Sequence, residues 1–508
     1  MQKPQDLIIV IFGASGDLSQ RKLLPSLFSM YEQGMMPDRF RIIGTGRTEM
    51  GSGDFRKKMS EAVVVHSEEK EADSERLAEF IKNLSYVSFD SQDPASYRIL
   101  IDHVEKDAGE PDISGNMIFY MATPPGMYEN IAINLASAGM LDESRGFRRV
   151  IIEKPFGYDL ESGVRLNKKL HGILSESQIF RIDHYLGKET VQNLMVTRFA
   201  NGIFEPLWNR RYIQRVEITS AESLGVEGRG GFYEGVGALR DMVQNHLLQM
   251  VGLTAMEPPS SLDASSIRNE VLKVFQSLQP LKQEDVSRQV IRGQYTASRI
   301  RGICIPGYRE EKGVDSESRT ETYVAMKFFI NNWRWGGVPF YVRTGKRLPT
   351  RVTEIVMHFH PTPHHLFRRG PGRIQGNQLV IRIQPDEGIL LKFDMKEPGS
   401  GFNVKNVAMD FHYTDLGDLK VVSAYGRLLY DVMMGDATLF ARDVEVETAW
   451  KFIDPILKAW EADDSIKVYG YPAGTWGPEH SNDLIEGEDL AWRYPCRNMA
   501  DEELYCEL

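Results

Sequence analysis

The first 185 residues alternate short apolar runs of strand length with stretches of helical periodicity. Between the first two runs, apolar residues recur at i, i+3, i+4 and i+7 from Leu24 to Tyr31, which predicts a helix that ends near Gly34. Pro25 lies in the first turn of that helix or marks a kink in it. Such alternation is typical of βαβ units and a parallel sheet. The predicted strands are Leu7–Phe12, Arg41–Ile43, Met117–Met121 and Arg149–Ile152.

After about residue 210, strand-like runs dominate and long helices are scarce, which predicts an α+β domain with a large, mostly antiparallel sheet. Its predicted strands are Gln214–Thr219, Val338–Thr344, Glu354–Phe359, Gln378–Gln384 and Ile389–Met395. The polar stretch Ser67–Arg76 is predicted to be a solvated helix or loop, and Tyr308–Thr322 a connecting loop. A chain of 508 residues favours two domains, which we place at 1–185 and 186–508.

Composition and charge exclude several classes of protein. Apolar residues make up 42% of the chain, and no apolar run is long enough to cross a membrane. The amino terminus lacks the layout of a secretory signal. The three cysteines have no C-x-x-C spacing, so we expect no disulfide framework and no metal site, and we expect a cytoplasmic protein. A net charge of −11 argues against nucleic acid as a partner and requires local basic residues at any site for anions.

The segment Gly13–Leu18 follows the first strand directly and opens the first helix. Glycine allows a sharp turn, and a helix amino terminus presents N–H groups to a pyrophosphate. Only two glycines of the usual G-x-G-x-x-G pattern are present, so a structural turn explains the motif equally well when it stands alone. Its position favours an α/β Rossmann-like dinucleotide-binding domain. After the second strand, Arg47 stands with no acidic residue before Glu49, which favours NADP over NAD, with a plain surface arginine as the alternative.

Three polar strings contain the candidate catalytic residues: Glu153–Gly157, Asp183–Glu189 and Asp241–His246. Lys154 follows a predicted strand of the parallel sheet, where such sheets bind their ligands, although an exposed lysine at a strand end is the simpler explanation. The second string contains an acid, an imidazole, a phenol and an ammonium group within six residues. These groups could bind a phosphate or could form a solvated polar turn.

His246 lies on an apolar helical stripe, at i+4 from Met242. A histidine in this setting is usually a hydrogen-bonded core residue. Burial nevertheless keeps an imidazole neutral, as a general base requires, and a carboxylate from Asp183 or Asp241 could hold its tautomer. Oxidation of an alcohol by a nicotinamide needs such a base beside the carbon that loses the hydride. These residues therefore permit a histidine–aspartate pair of that kind.

Taken together, the motifs resemble the glucose-6-phosphate dehydrogenase family along nearly the whole chain. The string Arg181–Glu189 looks like the family signature and is highly specific. The other matching segments are Gly13–Leu18, Glu153–Gly157, Gly228–Gly231, Arg240–Gln249 and Val338–Lys346. The resemblance implies oxidation of D-glucose 6-phosphate at C1 to 6-phospho-D-glucono-1,5-lactone with hydride transfer to NADP⁺, the first step of the oxidative pentose phosphate pathway.

The resemblance also implies a role for each candidate residue. His246 takes the C1 hydroxyl proton, and Asp183 orients it. The sugar phosphate is bound by His184, Tyr185 and Lys188, with Arg351 as a further candidate. The sugar hydroxyls are bound by Lys154, Glu222, Asp241 and Lys346. The cofactor is lined by Gly13, Ser15, Gly16, Asp17, Leu18, Arg47, Tyr120, Thr123 and Lys154. The peptide bond between Lys154 and Pro155 is implied to be cis.

The resemblance further implies a homodimer or homotetramer whose interface is the large sheet. Mammalian relatives bind a second, structural NADP through basic residues of the carboxyl-terminal domain. Arg382 is retained, but Val352 and Val356 stand where two such residues are expected, which argues against that second site. Two other functions stay open from the sequence: a non-catalytic NADP-binding sensor on the same fold, and a dehydrogenase of other hexose phosphates. The acidic tail Glu486–Leu508 extends beyond the matching segments and has no predicted role.

Overall fold

The computed structural model describes residues 2–67, 73–109, 112–364, 366–369, 376–399, 401–417, 422–487 and 490–495. Within these ranges the strands are β1 (Leu7–Phe12), β2 (Phe40–Gly46), β3 (Leu84–Ser88), β4 (Met117–Met121), β5 (Arg148–Ile152), β6 (Ile179–Ile182), β7 (Ile213–Ala221), β8 (Val290–Thr296), β9 (Ser298–Ile300), β10 (Ile303–Ile305), β11 (Tyr323–Phe329), β12 (Pro339–Gly345), β13 (Val352–Phe359), β14 (Arg368–Arg369), β15 (Gln378–Gln384), β16 (Gly388–Lys396), β17 (Asn403–His412), β18 (Phe440–Ala441) and β19 (Val468–Pro472).

The α-helices of the same ranges are α1 (Leu24–Glu32), α2 (Ser52–His66), α3 (Ser74–Ile81), α4 (Tyr97–Ala108), α5 (Tyr128–Ser137), α6 (Leu160–His171), α7 (Glu189–Phe199), α8 (Gly230–Tyr233), α9 (Leu248–Ala255), α10 (Ala264–Gln276), α11 (Gln283–Gln289), α12 (Ala424–Met434) and α13 (Asp443–Ala462). Two π-helical segments, Ser19–Leu23 and Leu239–Leu247, continue directly into α1 and α9. None of the helices described is long and apolar enough to cross a lipid bilayer.

The chain divides into two compact units. The first unit consists of Met1–Lys188, Ser261–Arg268 and Lys420–Glu447, and the second of Glu189–Ser260, Asn269–Leu419 and Thr448–Leu508. The sequence pattern predicted two continuous domains, and the structure differs because two later segments belong to the first unit. These segments join the first unit through tertiary contacts, which the periodicity of the sequence does not predict. In these contacts β18 pairs with β6, and the Ser423 hydroxyl lies 2.9 Å from that of Ser26 on α1.

The sheet of the first unit has the order β18-β6-β5-β4-β1-β2-β3, with every neighbouring pair parallel except β18 and β6. All residues of β1 and β4 are buried, as is usual for a parallel sheet that helices cover on both faces. The carboxyl ends of parallel strands share one edge of the sheet. That edge is followed by Gly13 after β1, Arg47 after β2, Thr123 after β4, Lys154 after β5 and Asp183 after β6.

The second unit contains a ten-stranded sheet with the order β14-β17-β16-β15-β13-β7-β12-β11-β8-β19. Most neighbours are antiparallel, and β12 pairs with β7 in parallel. The expectation that long helices are scarce after residue 210 is wrong, because α10 has 13 residues and α13 has 20. Pro455 lies inside α13, although a proline in a sequence usually predicts the end of a helix. The helix continues past it, and Trp450, Ile453 and Ile456 on either side of the proline are buried.

The polar stretches behave differently from each other. Tyr308–Thr322 has no strand, as predicted for a connecting loop, and most of it is exposed or half-buried, but Tyr308 and Thr322 at its two ends are fully buried. Of Ser67–Arg76, α3 begins at Ser74, and positions 68–72 lie outside the described residues. Most of the acidic tail after residue 487, including Cys496 and Cys506, also lies outside them.

Candidate functional site

The segment Gly13–Leu18 forms a tight turn between β1 and the first π-helical segment. Gly13 has φ +79°, and its N–H and that of the next residue both donate to the Thr45 carbonyl of β2, at 2.9 and 3.0 Å. A Cβ on Gly13 would lie 2.3 Å from the carbonyl oxygen of Ala122, just after β4. Gly13 therefore shapes the turn, and an anion at this helix start would meet main-chain N–H groups of the turn.

Neighbouring side chains hold the rest of this turn. Lys58 of α2 donates to the Ser15 carbonyl at 3.2 Å, and the N–H of Gly16 donates to the carbonyl of Gly13 at 2.9 Å. Asp17 is exposed and pairs with Arg21 at 2.6 Å. Lys58 places a basic group at the turn, and sequence reasoning missed it because a lysine on a surface helix carries no distinguishing pattern.

Arg47 and Thr123 lie at the ends of the two strands that flank β1. Arg47 is exposed directly after β2. The Thr123 hydroxyl is buried and has no hydrogen-bond partner among the residues that the structure describes. A buried hydroxyl without a partner is unfavourable, so this group fits a contact with a bound ligand. The turn amides, a cation and a hydroxyl at adjacent strand ends fit a dinucleotide.

A buried carboxylate, Glu153, stands directly before Lys154 at the end of β5. The Tyr120 hydroxyl donates to Glu153 Oε1 at 2.5 Å, and the Tyr425 hydroxyl also hydrogen-bonds to this carboxylate. The Tyr128 hydroxyl donates to the Glu153 carbonyl at 3.0 Å. Burial raises the pKa of Glu153, and the tyrosine hydrogen bonds and the charge of Lys154 oppose that effect. Three tyrosines therefore hold the main chain and side chain that precede Lys154.

Two sequence predictions concern this cluster. The Lys154–Pro155 bond is cis, which confirms the expectation from the family resemblance. Tyr120 was predicted to line the cofactor, but its side chain is 1% exposed and its hydroxyl is bonded to Glu153. The Tyr120 side chain therefore holds Glu153. The predicted contact between Tyr120 and the cofactor stays a prediction, and its main chain is the part that could make this contact.

The predicted phosphate ligands lie in the turn Asp183–Lys188 after β6. Asp183 is 3% exposed, and its Oδ1 accepts the N–H of Tyr185 at 2.9 Å. Lys188 Nζ lies 4.5 Å from the centroid of the Tyr185 ring, and the His184 ring stacks on Tyr425 at 5.9 Å. Tyr185 is 5% exposed, so this turn is packed rather than fully solvated. One imidazole, one phenol and one ammonium group are thus concentrated there.

In the second unit, Lys346 lies beside both Glu222 and Tyr233, and the charge of Asp241 acts on the same tyrosine. Lys346 follows β12, and its Nζ lies 2.5 Å from Oε2 of Glu222, which follows the neighbouring strand β7. The same Nζ lies 5.0 Å from the centroid of the Tyr233 ring. Burial raises the pKa of Tyr233 well above its usual value, and the nearby charges of Asp241 and Glu222 raise it further. Sequence reasoning missed Tyr233, whose place in this cluster depends on contacts between separate elements.

His246 lies in the π-helical segment Leu239–Leu247 and is fully buried. The predicted apolar stripe is buried, but Gln244 and Asn245 are buried as well, so the helix is enclosed on more than one face. A π-helical turn bonds i to i+5, a pattern that α-helical periodicity does not predict, and such turns are frequent at functional sites. Asp183 belongs to the first unit and His246 to the second, and their pairing stays a prediction.

The remaining predicted positions lie on β13 and β15. Arg351 is exposed directly before β13. Val352 and Val356 are uncharged, and each is 1% exposed. Neither position therefore supplies a cation that could bind a second dinucleotide. Arg382 is buried and pairs with Asp410 of β17.

Comparison with known proteins identifies the family. The family model described as "Glucose-6-phosphate dehydrogenase, NAD binding domain" matches residues 10–193, and "Glucose-6-phosphate dehydrogenase, C-terminal domain" matches residues 195–493. Glucose-6-phosphate 1-dehydrogenase of Treponema pallidum (strain Nichols) is 51% identical over 503 residues, which cover 99% of this chain and 98% of that protein. The chain belongs to the glucose-6-phosphate dehydrogenase family. The family member from Aggregatibacter actinomycetemcomitans is 50% identical over 493 residues, with 97% and 98% covered.

Solved structures of glucose-6-phosphate dehydrogenases share the whole architecture. One, a glucose-6-phosphate dehydrogenase in complex with its substrate glucose-6-phosphate, has a TM-score of 0.88 at 35% identity and covers 97% of this chain and 99% of its own. Another, from Mycobacterium avium, has a TM-score of 0.82 at 36% identity, with 97% and 99% covered. The predicted fold class is confirmed, and the match to the family's NAD binding domain supports a nicotinamide dinucleotide as the cofactor.

Proposed function

We propose that this chain oxidises D-glucose 6-phosphate at C1 to 6-phospho-D-glucono-1,5-lactone and transfers the hydride to NADP⁺. Family membership supports the reaction, since relatives named glucose-6-phosphate 1-dehydrogenase are about half identical over their full length. The observation that carries the site is the position of Lys346 beside Glu222 and Tyr233, with the charge of Asp241 acting on the same tyrosine. Two carboxylates and one ammonium group offer the hydrogen bonds that sugar hydroxyls require.

His246 is the proposed general base. Its full burial favours the neutral imidazole, which can accept the C1 hydroxyl proton. The nicotinamide, when bound, accepts the hydride that leaves the same carbon. We assign Asp183 to orient the imidazole and stabilise its protonated form, because Asp183 is itself buried and fixed by the N–H of Tyr185. Lys154, which follows the clamped Glu153, is assigned to the sugar and the nicotinamide end of the cofactor.

The sugar phosphate is assigned to His184, Tyr185 and Lys188. Their concentration in one turn supports this assignment, because a dianion needs several donors in an acidic protein. Arg351, which is exposed directly before β13, is a further candidate ligand of the phosphate.

NADP⁺ rather than NAD⁺ is the proposed cofactor. The 2′-phosphate is assigned to Arg47, which is exposed at the end of β2 in the place where NAD-binding domains carry an acid. Lys58, which bonds the Ser15 carbonyl, adds positive charge beside the same turn. An Arg47→Ala variant should lose at least tenfold in kcat/KM for NADP⁺ while kcat/KM for NAD⁺ changes little. An unchanged preference would contradict the assignment.

We also propose a homo-oligomer, a homodimer or homotetramer, formed through the outer strands of the large sheet. Strands β16 and β17 expose large apolar side chains there, among them Met395 at 53%, Met409 at 62% and Phe411 at 37%. Apolar patches of this kind on a sheet mark association surfaces. Light scattering coupled to gel filtration should report a mass at least twice that of one chain, and replacement of Met409 by Glu should lower it.

An absorbance assay of NADPH formation at 340 nm tests the activity. Glucose 6-phosphate should support turnover, and unphosphorylated glucose should have a greatly reduced kcat/KM. His246→Asn should lower kcat by roughly 10²- to 10⁴-fold with substrate binding largely kept. His480→Asn is the matched control, since this exposed histidine of the second unit stacks on Tyr469. Cofactor binding without any turnover of wild-type protein would instead indicate a sensor.

A further inference from the structure

A buried carboxylate two residues before β11 has no part in the proposed chemistry. Glu321 is 4% exposed and contacts the start of the π-helical segment Leu239–Leu247. We propose that Glu321 is a positioning residue that holds the helix carrying Asp241 and His246 in register with Lys346. This inference rests on the proposed function, since it assumes the roles of those three residues.

Glu321 bonds the amino terminus of the helix twice. Its carbonyl oxygen accepts the N–H of Ala238 at 2.9 Å, and its Oε1 accepts the N–H of Leu239 at 3.0 Å. The first N–H groups of a helix have no acceptor within the helix, and a capping residue next to the helix usually provides one. Here Glu321, which is distant in the sequence, provides two acceptors. A carboxylate at a helix amino terminus is also electrostatically favourable. The start of this helix is therefore fixed from outside its own sequence.

The turn before the helix fits closely around the same carboxylate. Gly237 has φ +71°, and a Cβ at this position would lie 2.4 Å from Glu321 Oε1 and 2.7 Å from its Cδ. A side chain at residue 237 would both require an unfavourable left-handed backbone and displace the carboxylate. Gly237 and Glu321 therefore form a single contact that sets how the chain enters the helix.

The neighbouring residue contacts the sugar-binding lysine. The carbonyl of Thr322 accepts the N–H of Lys346 at 2.9 Å, and its N–H donates to the Gly293 carbonyl of β8 at 2.8 Å. The Tyr471 hydroxyl lies 3.1 Å from Thr322 Oγ1 and donates to the Lys346 carbonyl at 2.7 Å. Two consecutive residues, Glu321 and Thr322, thus bond the base-carrying helix on one side and Lys346 on the other.

Charges around Glu321 agree with this role. Burial raises its pKa, and the bond from Leu239 and the charges of Arg240 and Arg292 act in the opposite direction. The charge of Glu321 also contributes to the raised pKa of Tyr233, as do the charges of Asp241 and Glu222. A positioning residue here affects the alignment of the base and the sugar without touching either.

Steady-state kinetics of Glu321→Ala and Glu321→Gln test the proposal. We expect Glu321→Ala to lower kcat by roughly 10²-fold, because small displacements of reacting groups have effects of that size. The KM for NADP⁺ should stay within twofold, since the Rossmann-like unit is unchanged. Glu321→Gln keeps an oxygen that can accept from Leu239, so it should recover most of kcat. A residue that only supports stability would lower the melting temperature and leave kcat and KM unchanged.

Glu354→Gln is the matched control. Glu354 lies on β13 of the large sheet, is 1% exposed and pairs with Arg493 at 3.2 Å rather than with the helix start. This variant should lose thermal stability and keep kcat. If Glu321→Ala does not fold, Gly237→Ala replaces it and should lower kcat in the same way.

Each outcome has a distinct meaning. A folded Glu321→Ala or Gly237→Ala enzyme with kcat within twofold of wild type would overturn the inference. An equal loss of kcat in Glu354→Gln would overturn it too, because the effect would then be general. Failure of the proposed function is recognised separately, since the wild-type protein would then form no NADPH from glucose 6-phosphate.

Discussion

Replacement of Gly13 by alanine tests how the turn after β1 builds the cofactor site. Gly13 has φ +79°, and an added Cβ would lie 2.3 Å from the Ala122 carbonyl oxygen and 3.1 Å from its carbonyl carbon. Both atoms belong to main chain that follows the central strand β4, so they cannot rotate away. Gly34, after α1, provides a matched control, because it has φ +68° and no atom within 4 Å of its added Cβ.

The two variants separate two contributions to stability. Gly34→Ala carries only the left-handed backbone penalty, about 1 to 2 kcal/mol. Gly13→Ala carries the same penalty and an overlap with fixed main chain, which adds about 1 to 3 kcal/mol in a packed region. We therefore expect Gly13→Ala to be destabilised by about 2 to 5 kcal/mol in total.

Urea unfolding measures the stability difference, and a titration of NADP⁺ measures the effect on the site. We expect the KM for NADP⁺ to rise at least tenfold in Gly13→Ala, about 1.4 kcal/mol, because the displaced turn no longer presents its N–H groups correctly. Gly34→Ala should keep the wild-type KM. The reasoning is refuted if both variants lose the same stability and Gly13→Ala binds NADP⁺ as wild type does.

Two further predictions concern single charged groups. Lys346→Met should lower kcat/KM for glucose 6-phosphate by roughly 10- to 150-fold, the range for a lost hydrogen bond to a charged group. A Lys346→Arg enzyme with the kcat/KM of wild type would argue against a specific contact by the ammonium group. Burial raises the pKa of Glu445 to about 7 from an ordinary 4.5, so the folded protein binds the extra proton and its stability falls as pH rises from about 4.5 to about 7. Glu445→Gln should remove that slope, worth about 3.5 kcal/mol at most from about 1.4 kcal/mol per pKa unit. Melting temperatures of both proteins between pH 5 and 8 check this, and a constant difference across that range would contradict it.

The sequence predicted those parts of the fold that depend on local pattern. Leu7–Phe12 and Met117–Met121 are strands with the predicted bounds, because fully buried parallel strands are continuous apolar runs. The helix from Leu24 also ends as predicted, shortly before Gly34. By contrast, α13 was missed because Pro455 interrupts its pattern, and the π-helical geometry around His246 has no α-helical signature.

The site was only partly accessible to sequence reasoning. Its candidate residues were found because polar groups such as Lys154 and Asp183 follow predicted strands, and because the family resemblance assigned the others. Four structural partners were missed: Lys58 at the turn after β1, Tyr233 beside Lys346, Tyr425 on the Glu153 carboxylate, and Glu321 at the helix start. None of these residues stands in a sequence motif that would indicate its contact.

By itself, the chain's order of residues determined the alternation of strands and helices, the glycine turn after β1 and the chemistry available at each strand end. These features follow from periodicity and residue type, which act over a few positions. Only the tertiary structure decided that segments 261–268 and 420–447 belong to the first unit, and that Lys346 lies beside both Glu222 and Tyr233. Such contacts join residues far apart in the chain, and burial of the whole core rather than any local preference selects them.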